Sequence, residues 1–324
     1  MLAGAAPLRW RSAGRPLTAG VGSVRSAGND VASFAERLHE RMRATDSRVC
    51  LGIDPRPEAH PLTHPDRFEN DPAQLAKAVV QYFRAIIEAT EDLIACAKLQ
   101  AAFFEAMGIP GLIAMAQLLV DLRTRDIPVV LDAKRGDIGS TAEAYARAYL
   151  GEGVFGADAL TVNPYLGMDS LEPFIKRAAK DARGVFVLVN TSNPGSRDFQ
   201  DVRGEDGRAL FERVAARVTA YAKALAGAGG YSPLGAVVGA THPPERVERL
   251  RELLPYSVLL MPGYGAQGGA AENLAAAFDR DGIGAMVSAS RSLTYTGEGD
   301  HAANSRAAVV AMRDEINAVI TTSR

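Results

Sequence analysis

Short apolar runs alternate with longer amphipathic stretches along most of the chain, beginning at residue 49. The runs are rich in Val, Ile and Leu and nearly continuous, without the strict apolar–polar alternation of a strand that has one face in water. This pattern is typical of parallel strands that are covered on both faces. The predicted strands span residues 49–54, 94–99, 128–132, 159–163, 185–190, 235–239, 257–261 and 285–289.

The stretches between these strands have the apolar spacing of amphipathic helices. They span residues 72–90, 111–123, 141–150, 169–181, 209–226, 244–254 and 270–279. Eight strand–helix units within about 250 residues favour a closed (β/α)8 barrel, the TIM-barrel fold class, over an open sheet. No low-complexity linker interrupts this span, so we predict a single α/β barrel domain over residues 31–324.

The first 30 residues differ from the rest of the chain. They contain Arg9, Arg11, Arg15 and Arg25 among Ser and Gly, and no acidic residue precedes Asp30. Organellar transit peptides have a similar composition. Because Ala, Arg and Gly are abundant throughout this chain, we favour a disordered or non-native tail over residues 1–30 and exclude it from the fold.

Composition excludes several classes of protein. The chain of 324 residues is 47% hydrophobic and has a formal net charge of −2, with Lys and Arg scattered, so no nucleic-acid footprint is present. No apolar run approaches the roughly 20 residues of a membrane-spanning helix. Cys50 and Cys96 lie in apolar runs, which predicts free buried thiols in a reducing, cytoplasmic compartment. Because the histidines and cysteines lack metal-ligand spacing, we predict no metal site.

Polar groups follow every predicted strand. They are Asp54, Lys98, Asp132 with Lys134, Asn163, Thr191-Ser192-Asn193, Thr241-His242, Pro262-Gly263 and Ser290-Arg291. Taken alone, a residue such as Ser192 is most often a turn or helix-cap residue. Barrels of this class carry their chemistry at the carboxyl ends of the strands, however. The convergence of eight such ends on one rim therefore favours a functional site.

The third strand ends in a charged cluster, Asp132-Ala133-Lys134-Arg135-Gly136-Asp137. Side chains alternate between the faces of a strand, so Asp132 and Lys134 are predicted to project to the same side, with Asp137 a short loop away. Burying unpaired charges is unfavourable. The cluster is therefore either a self-neutralising structural ion pair or a site that handles charge on a substrate, and the Asp-x-Lys pair alone does not decide between them.

A glycine-rich loop over residues 262–269 follows the seventh strand. Glycines let backbone N–H groups approach an anion, and phosphate sites in these barrels usually follow strands seven and eight. Arg291, just after strand eight, is placed to bind the same phosphate. The spacing Gly263-x-Gly265-x-x-Gly268 also matches the dinucleotide-binding fingerprint. Because that fingerprint needs further strand–helix units downstream and only one strand remains, we predict a monophosphate site.

Together these motifs resemble the orotidine 5′-phosphate decarboxylase family, in its longer bacterial, mycobacterial-type branch. The motifs are Leu51-Gly52-Ile53-Asp54, Ala97-Lys98-Leu99-Gln100, Asp132-Ala133-Lys134-Arg135-Gly136-Asp137-Ile138 with Thr141, and Pro262-Gly263-x-Gly265-x-Gln267-Gly268-Gly269. A wider suite of sugar-phosphate barrels shares the Asp-x-Lys-x-x-Asp pattern, but its combination with Lys98, the glycine loop and Arg291 is more specific. The resemblance covers about residues 48–293 and leaves the flanking segments as tails.

The resemblance implies cofactor-independent decarboxylation of orotidine 5′-phosphate to UMP in pyrimidine biosynthesis. Lys134 would protonate C6 of the pyrimidine, and Asp132 would lie beside the departing carboxylate. Lys98 would pair with Asp132 and with ribose hydroxyls. The fourth member of the implied catalytic set, Asp137, would reach into the partner subunit's site in a homodimer.

The resemblance also implies a set of substrate-binding residues. Asp54 would bind a ribose hydroxyl, Thr141 would act across the dimer interface, and Ser192 would hydrogen-bond the base. Gln267 and Arg291 would bind the phosphate. The remaining members of the predicted set are Asn163, Pro262, Gly263, Gly265 and Gly268.

Two alternatives remain open at this point. One is a sister decarboxylase or aldolase that acts on a keto-sugar phosphate; such sites recruit Mg²⁺ through an acidic residue, and Lys98 stands where that ligand would be. The other is a non-catalytic barrel that binds a nucleotide. The joint presence of Lys98, Asp132, Lys134 and Asp137 argues against the second, because binding a nucleotide needs no such cluster.

Overall fold

A computed structural model of the protein describes residues 32–69, 71–265 and 268–322. The predicted tail at residues 1–30 and the predicted phosphate ligand Gln267 lie outside the described residues. No helix in the described ranges is both long and apolar enough to span a membrane.

Eight parallel strands close into a barrel in chain order. The ring closes where Val49 of the first strand pairs with Val287 of the last. The strands are β1 (Val49–Ile53), β2 (Cys96–Gln100), β3 (Val129–Arg135), β4 (Ala159–Val162), β5 (Gly184–Asn190), β6 (Leu234–Val238), β7 (Leu259–Pro262) and β8 (Ala285–Ala289). The predicted (β/α)8 barrel is confirmed. It also removes the dinucleotide-binding alternative, because the glycine loop follows the seventh strand of a closed ring rather than the first strand of an open sheet.

Helices surround the barrel in the described part of the chain. They are α1 (Phe34–Thr45), α2 (Pro72–Thr90), α3 (Ala101–Glu105), α4 (Gly108–Thr124), α5 (Gly139–Leu150), α6 (Met168–Lys180), α7 (Arg197–Gln200), α8 (Leu210–Leu225), α9 (Pro244–Leu253), α10 (Arg291–Thr294) and α11 (His301–Thr322). Residues 270–279, predicted as an α-helix, instead contain a 3₁₀ helix, Ala271–Ala277. The buried residues there, Ala271, Leu274 and Ala277, recur every third position, which is the period of a 3₁₀ helix.

Strand β1 shows how the two cores of the protein divide. Val49 and Leu51 pack in the larger core, between the barrel wall and helix residues such as Phe83. Cys50, between them in sequence, packs in a second core inside the barrel. Because successive side chains of a strand point to opposite faces, a continuous apolar strand contributes side chains to both cores.

Helix α1, which lies inside the predicted domain of residues 31–324 but was not among the predicted helices, closes the amino-terminal end of the barrel. A capping box between Ser33 and Glu36 starts the helix. Its apolar face joins the inner core, where the Phe34 ring meets Phe186 edge-on at 5.9 Å. The barrel floor is therefore filled, and the opposite end, where the strands finish, is left to carry a site.

Candidate active site

A cavity of about 460 Å³ opens at the carboxyl ends of the strands. Leu188, Val237 and Leu260 from the barrel interior form part of its apolar lining. Eight of the predicted site residues line it: Asp54, Lys98, Asp132, Lys134, Ser192, Pro262, Gly263 and Arg291. Of the eight strand ends predicted to converge, those of β1, β2, β3, β5, β7 and β8 bring polar groups to this cavity. Asn163 after β4 and Thr241-His242 after β6 are not among the described residues that line it.

The floor of this cavity carries a chain of ion pairs. Lys98 Nζ lies 3.6 Å from Asp54 Oδ1 and 3.3 Å from Asp132 Oδ2. Lys134 Nζ lies 2.7 Å from the other oxygen of Asp132. Lys98 and Asp132 are buried, whereas 44% of the Lys134 side chain is exposed. The result is a row of alternating charges whose outermost member, an ammonium, faces the cavity.

The Asp132 carboxylate is satisfied on both oxygens. The Thr161 hydroxyl donates to Oδ1 at 2.8 Å and the Gln100 amide donates to Oδ2 at 2.9 Å, in addition to the two lysines. Burial alone would raise the pKa of Asp132. The positive charges of Lys98 and Lys134, with these hydrogen bonds, outweigh burial and lower the pKa to about 2. Asp132 is therefore a fixed anion near neutral pH.

The Lys98 ammonium is held in its charged form by its neighbours. Burial tends to lower the pKa of this group, but the carboxylates of Asp54 and Asp132 outweigh burial and raise the pKa above its ordinary value. The buried Asp54 Oδ1 has no hydrogen-bond donor among the described residues. A buried carboxylate oxygen without a donor is costly, so this atom is suited to accept a hydrogen bond from a ligand hydroxyl.

Lys134 adopts a left-handed backbone conformation, with φ at +47°. The register between β3 and β4 shifts from Leu131 to Arg135, so Lys134 lies in an irregularity of the strand. Its backbone N–H donates to the Thr161 hydroxyl at 2.9 Å. The predicted contact with Asp132 is present, but regular strand alternation does not produce it, since a bulge re-aims the side chain.

The glycine-rich loop is shaped by three residues in the left-handed region, Gly263, Gly265 and Gly268, with φ of +100°, +67° and +89°. The N–H of Gly265 donates to the Gly269 carbonyl at 3.0 Å, and that of Gly268 donates to the Gly265 carbonyl at 2.8 Å. Those two N–H groups therefore hold the turn itself. Gly263 lines the cavity, together with Arg291, which forms no ion pair within the described residues.

The loop after β5 is held by Gln200 of helix α7, which also lines the cavity. Gln200 Oε1 accepts from the Asn190 amide at 3.0 Å and from the Thr191 N–H at 2.8 Å, and its own amide donates to the Thr191 hydroxyl at 2.8 Å. These bonds hold the segment that brings Ser192 to the cavity wall.

Several predicted residues are not among those that line the cavity in the described chain: Asp137, Thr141, Asn163, Gly265 and Gly268. Asp137 Oδ1 accepts the N–H of Ile138 at 2.8 Å, and Thr141 is exposed. Asn163 Oδ1 accepts the N–H of Tyr165 at 3.0 Å, so this side chain closes its own turn. Their predicted roles in substrate binding or catalysis stay predictions.

Sequence reasoning missed Thr161, Gln100 and Gln200 as functional residues. Thr161 had a detectable signal, because it is a lone hydroxyl within the buried apolar strand β4. Gln100 and Gln200 form hydrogen bonds with residues brought close by the fold, and the spacing of residues along the sequence does not predict those contacts. Within the described ranges, no three His, Cys, Asp or Glu side chains form a group that could hold a metal ion.

Comparison with known proteins places this geometry in a family. The orotidine 5′-phosphate decarboxylase / HUMPS family matches residues 47–307. The chain is 45% identical over 269 residues to the orotidine 5′-phosphate decarboxylase of Rhodopirellula baltica, covering 81% of this chain and 88% of that protein. It is 42% identical to that of Deinococcus radiodurans, covering 89% of this chain and 98% of the relative.

A solved structure supports the same assignment. The OMP decarboxylase of Leishmania donovani superimposes with a TM-score of 0.72 at 36% sequence identity, covering 89% of this chain and 99% of the other. The chain belongs to the orotidine 5′-phosphate decarboxylase family. The resemblance inferred from the motifs is therefore confirmed.

Proposed function

We propose that this protein is a carboxy-lyase that decarboxylates orotidine 5′-phosphate to UMP in pyrimidine biosynthesis, without a cofactor. The observation that carries the proposal is the row of alternating charges at the cavity floor. In it, Asp132 is fixed as an anion between two lysines, and the Lys134 ammonium projects into the space that a substrate would occupy.

The proposed reaction breaks one carbon–carbon bond and forms one C–H bond. The bond between C6 and the carboxylate breaks, CO2 departs, and the electron pair remains at C6. The Lys134 ammonium donates a proton to C6, giving UMP, and the neutral amine then takes a proton from water. Asp132, beside the departing carboxylate, pairs with Lys134 Nζ at 2.7 Å and so orients the ammonium toward C6.

The barrier to this reaction explains why such a fixed cluster is needed. A carbanion at C6 is poorly delocalised, so the enzyme must stabilise the transition state by on the order of 20 kcal/mol. An ammonium that is already oriented toward the developing negative charge requires no reorganisation during the reaction. The hydrogen bonds from Thr161 and Gln100 keep Asp132 from turning away from Lys134.

The other walls of the cavity fit the remaining parts of the nucleotide. Asp54 Oδ1, which lacks a donor among the described residues, is suited to a ribose hydroxyl, with Lys98 beside it. Arg291 and Gly263 are assigned to the phosphate, and Ser192 to the base. Binding energy from the phosphate, which does not react, would then contribute to catalysis at C6.

We further propose that the enzyme is a homodimer in which Asp137 and Thr141 act in the partner subunit's site. The support is that neither residue lines the cavity of its own chain, while apolar side chains around them are exposed. Ile138 is 59% exposed and Tyr165 is 84% exposed. Large exposed apolar groups of this kind are common where a second copy docks. The cytoplasmic location stays a prediction, to which the two buried free cysteines conform.

A mixing experiment tests the shared site. Lys134→Ala and Asp137→Ala are each expected to be nearly inactive alone. If Asp137 acts across the interface, a mixed dimer contains one site with both native residues, and mixing with subunit exchange restores up to about a quarter of wild-type activity. No recovery in a sample shown by light scattering to contain dimers would contradict the shared site.

The main test is the loss of absorbance as purified protein converts orotidine 5′-phosphate, measured with and without EDTA. We expect turnover that EDTA does not change. EDTA-sensitive activity on a keto-sugar phosphate would indicate the sister enzyme instead. UMP binding without turnover would indicate a nucleotide-binding barrel and would overturn the catalytic assignment.

A further inference from the structure

Tyr295, at the end of helix α10, reaches across the rim of the barrel to the chain that follows β1. Its hydroxyl accepts the N–H of Arg56 at 2.7 Å and donates to the carbonyl of Asp54 at 3.3 Å. Pro55 between these two residues has no N–H to offer. One side-chain oxygen therefore serves both backbone groups that flank the proline.

The ring of Tyr295 is held in place by an aromatic stack. It stacks on Tyr82 of helix α2 at 5.8 Å, and Tyr82 stacks in turn on His301 at 4.5 Å and contacts His60 at 4.8 Å. The Tyr82 hydroxyl also donates to the carbonyl of Thr294, the residue before Tyr295. The position of the Tyr295 hydroxyl is thus fixed by contacts of its ring and its neighbour with α2, and through Tyr82 with α11 and the loop after β1.

The position of Asp54 depends on the hydrogen bond that the Tyr295 hydroxyl donates to its carbonyl. Strand β1 ends at Ile53, so Asp54 is the first residue beyond the sheet and has no ladder to hold it. Its carboxylate Oδ1 lies 3.6 Å from Lys98 Nζ, beyond hydrogen-bond distance, and has no hydrogen-bond donor among the described residues. Burial raises the pKa of Tyr295 to about 12, so its hydroxyl stays protonated as a donor well above neutral pH.

We propose that Tyr295 is a positioning residue that holds Asp54 in the orientation in which it binds the substrate ribose. The assignment rests on the proposed function of Asp54. Tyr295 also connects the proposed ribose-binding and phosphate-binding parts of the site. It lies four residues after Arg291, and its N–H donates to the Arg291 carbonyl at 3.1 Å. The segment that binds the phosphate thus also orients the group that binds the ribose.

Tyr295→Phe tests this role, since it keeps the ring in the stack and removes both hydrogen bonds. We expect kcat/KM for orotidine 5′-phosphate to fall about tenfold. Tyr231→Phe, just before β6 at the amino-terminal end of the barrel, is the matched control: it removes a buried tyrosine hydroxyl that donates to Asp279 Oδ2 at 2.8 Å. The control is expected to lower kcat/KM less than about twofold.

Two further readouts separate positioning from a general structural effect. In an Asp54→Asn background, Tyr295→Phe should change kcat/KM by less than about twofold, because it acts through Asp54. Tyr295→Phe should also weaken the binding of UMP severalfold but leave 2′,3′-dideoxyuridine 5′-phosphate, which lacks both ribose hydroxyls, unaffected. Additive effects in the double variant, or equal losses for both nucleotides, would overturn the proposal. Wild-type turnover in the same assay tests the proposed function separately.

Discussion

The backbone N–H of Lys134 donates to the Thr161 hydroxyl at 2.9 Å, and that hydroxyl donates to Asp132 Oδ1 at 2.8 Å. A non-glycine residue in the left-handed region costs on the order of 1 kcal/mol. This hydrogen bond and the ion pair with Asp132 help to stabilise Lys134 in that conformation. Thr161, on the neighbouring strand, thereby fixes the carboxylate and the ammonium relative to each other.

Thr161→Val is expected to lower kcat/KM by roughly tenfold to a hundredfold. Valine keeps the shape of the buried side chain but leaves the Lys134 N–H without its acceptor and removes one of the donors to Asp132 Oδ1, which together cost about 2–3 kcal/mol. The loss should appear mainly in kcat, because the reacting groups are misaligned. Steady-state kinetics on orotidine 5′-phosphate give the measurement.

Thr90→Val serves as the control for the loss of a buried hydroxyl. Thr90 is buried in α2 and its hydroxyl donates to the Ile86 carbonyl at 2.7 Å, away from the cavity. It should lower the free energy of unfolding by about 1 kcal/mol and leave kcat unchanged. Equal kinetics for wild type and Thr161→Val would show that the hydroxyl does not align the pair.

Lys134→Ala is expected to abolish decarboxylation while the affinity for UMP stays within about tenfold of wild type. The proton donor is lost, but Asp132 keeps Lys98 as a buried counterion at 3.3 Å. Isothermal titration with UMP, alongside the absorbance assay, separates the two effects. The control Lys176→Ala removes an exposed lysine that pairs with Glu172 and should behave as wild type. Substantial turnover by Lys134→Ala would remove Lys134 from the role of proton donor.

The strand ends and the contact between Asp132 and Lys134 could be predicted from the sequence, because apolar runs mark buried strands and barrel chemistry gathers where they end. The left-handed conformation of Lys134 could not. It depends on a register shift and on a hydroxyl 27 residues further along the chain, which the closed barrel brings into reach.

Two other features were beyond local patterns. Helix α1 has a clear capping box at Ser33, but its packing against Phe186 inside the barrel depends on the whole ring. For Asp137 the difference runs the other way. The spacing of the Asp-x-Lys-x-x-Asp motif predicted Asp137 as a site residue, but it is not among the described residues that line the cavity of its own chain. In the proposed homodimer, assembly would bring Asp137 to the partner's cavity, and the sequence of one chain does not specify that assembly.

Arg291→Ala is expected to lower kcat/KM by at least a hundredfold without a change in the free energy of unfolding. The side chain is exposed on the cavity rim and forms no ion pair within the described chain, so folding does not depend on it. The loss of a charged hydrogen bond to phosphate accounts for an effect of about 3 kcal/mol. The affinity of Arg291→Ala for UMP should fall toward its affinity for uridine, which has no phosphate.

Arg280→Ala provides the comparison for that variant. Arg280 is equally an exposed arginine, but it lies in the turn before β8, at the opposite end of the same strand. Its kinetics should match those of wild type. An unchanged kcat/KM in Arg291→Ala would refute the assignment of Arg291 to the phosphate.

Stability is expected to fall in mild acid because of His39, which lies in α1 at the floor of the barrel. The side chain is 4% exposed, contacts the Tyr231 ring at 4.6 Å, and burial lowers its pKa from 6.5 to about 4. As the pH falls, His39 in the unfolded chain therefore binds a proton at a higher pH than His39 in the folded protein. The neutral, buried His39 adds its full contribution to the free energy of unfolding above pH 6.5. That contribution declines between pH 6.5 and about pH 4, by on the order of 3 kcal/mol. Urea unfolding at pH 7.5 and pH 5 measures the decline, which His39→Phe should reduce. His64→Ala, at a histidine whose side chain is 44% exposed, should leave the decline in stability unchanged. An equal decline in His39→Phe would assign the acid sensitivity to other groups.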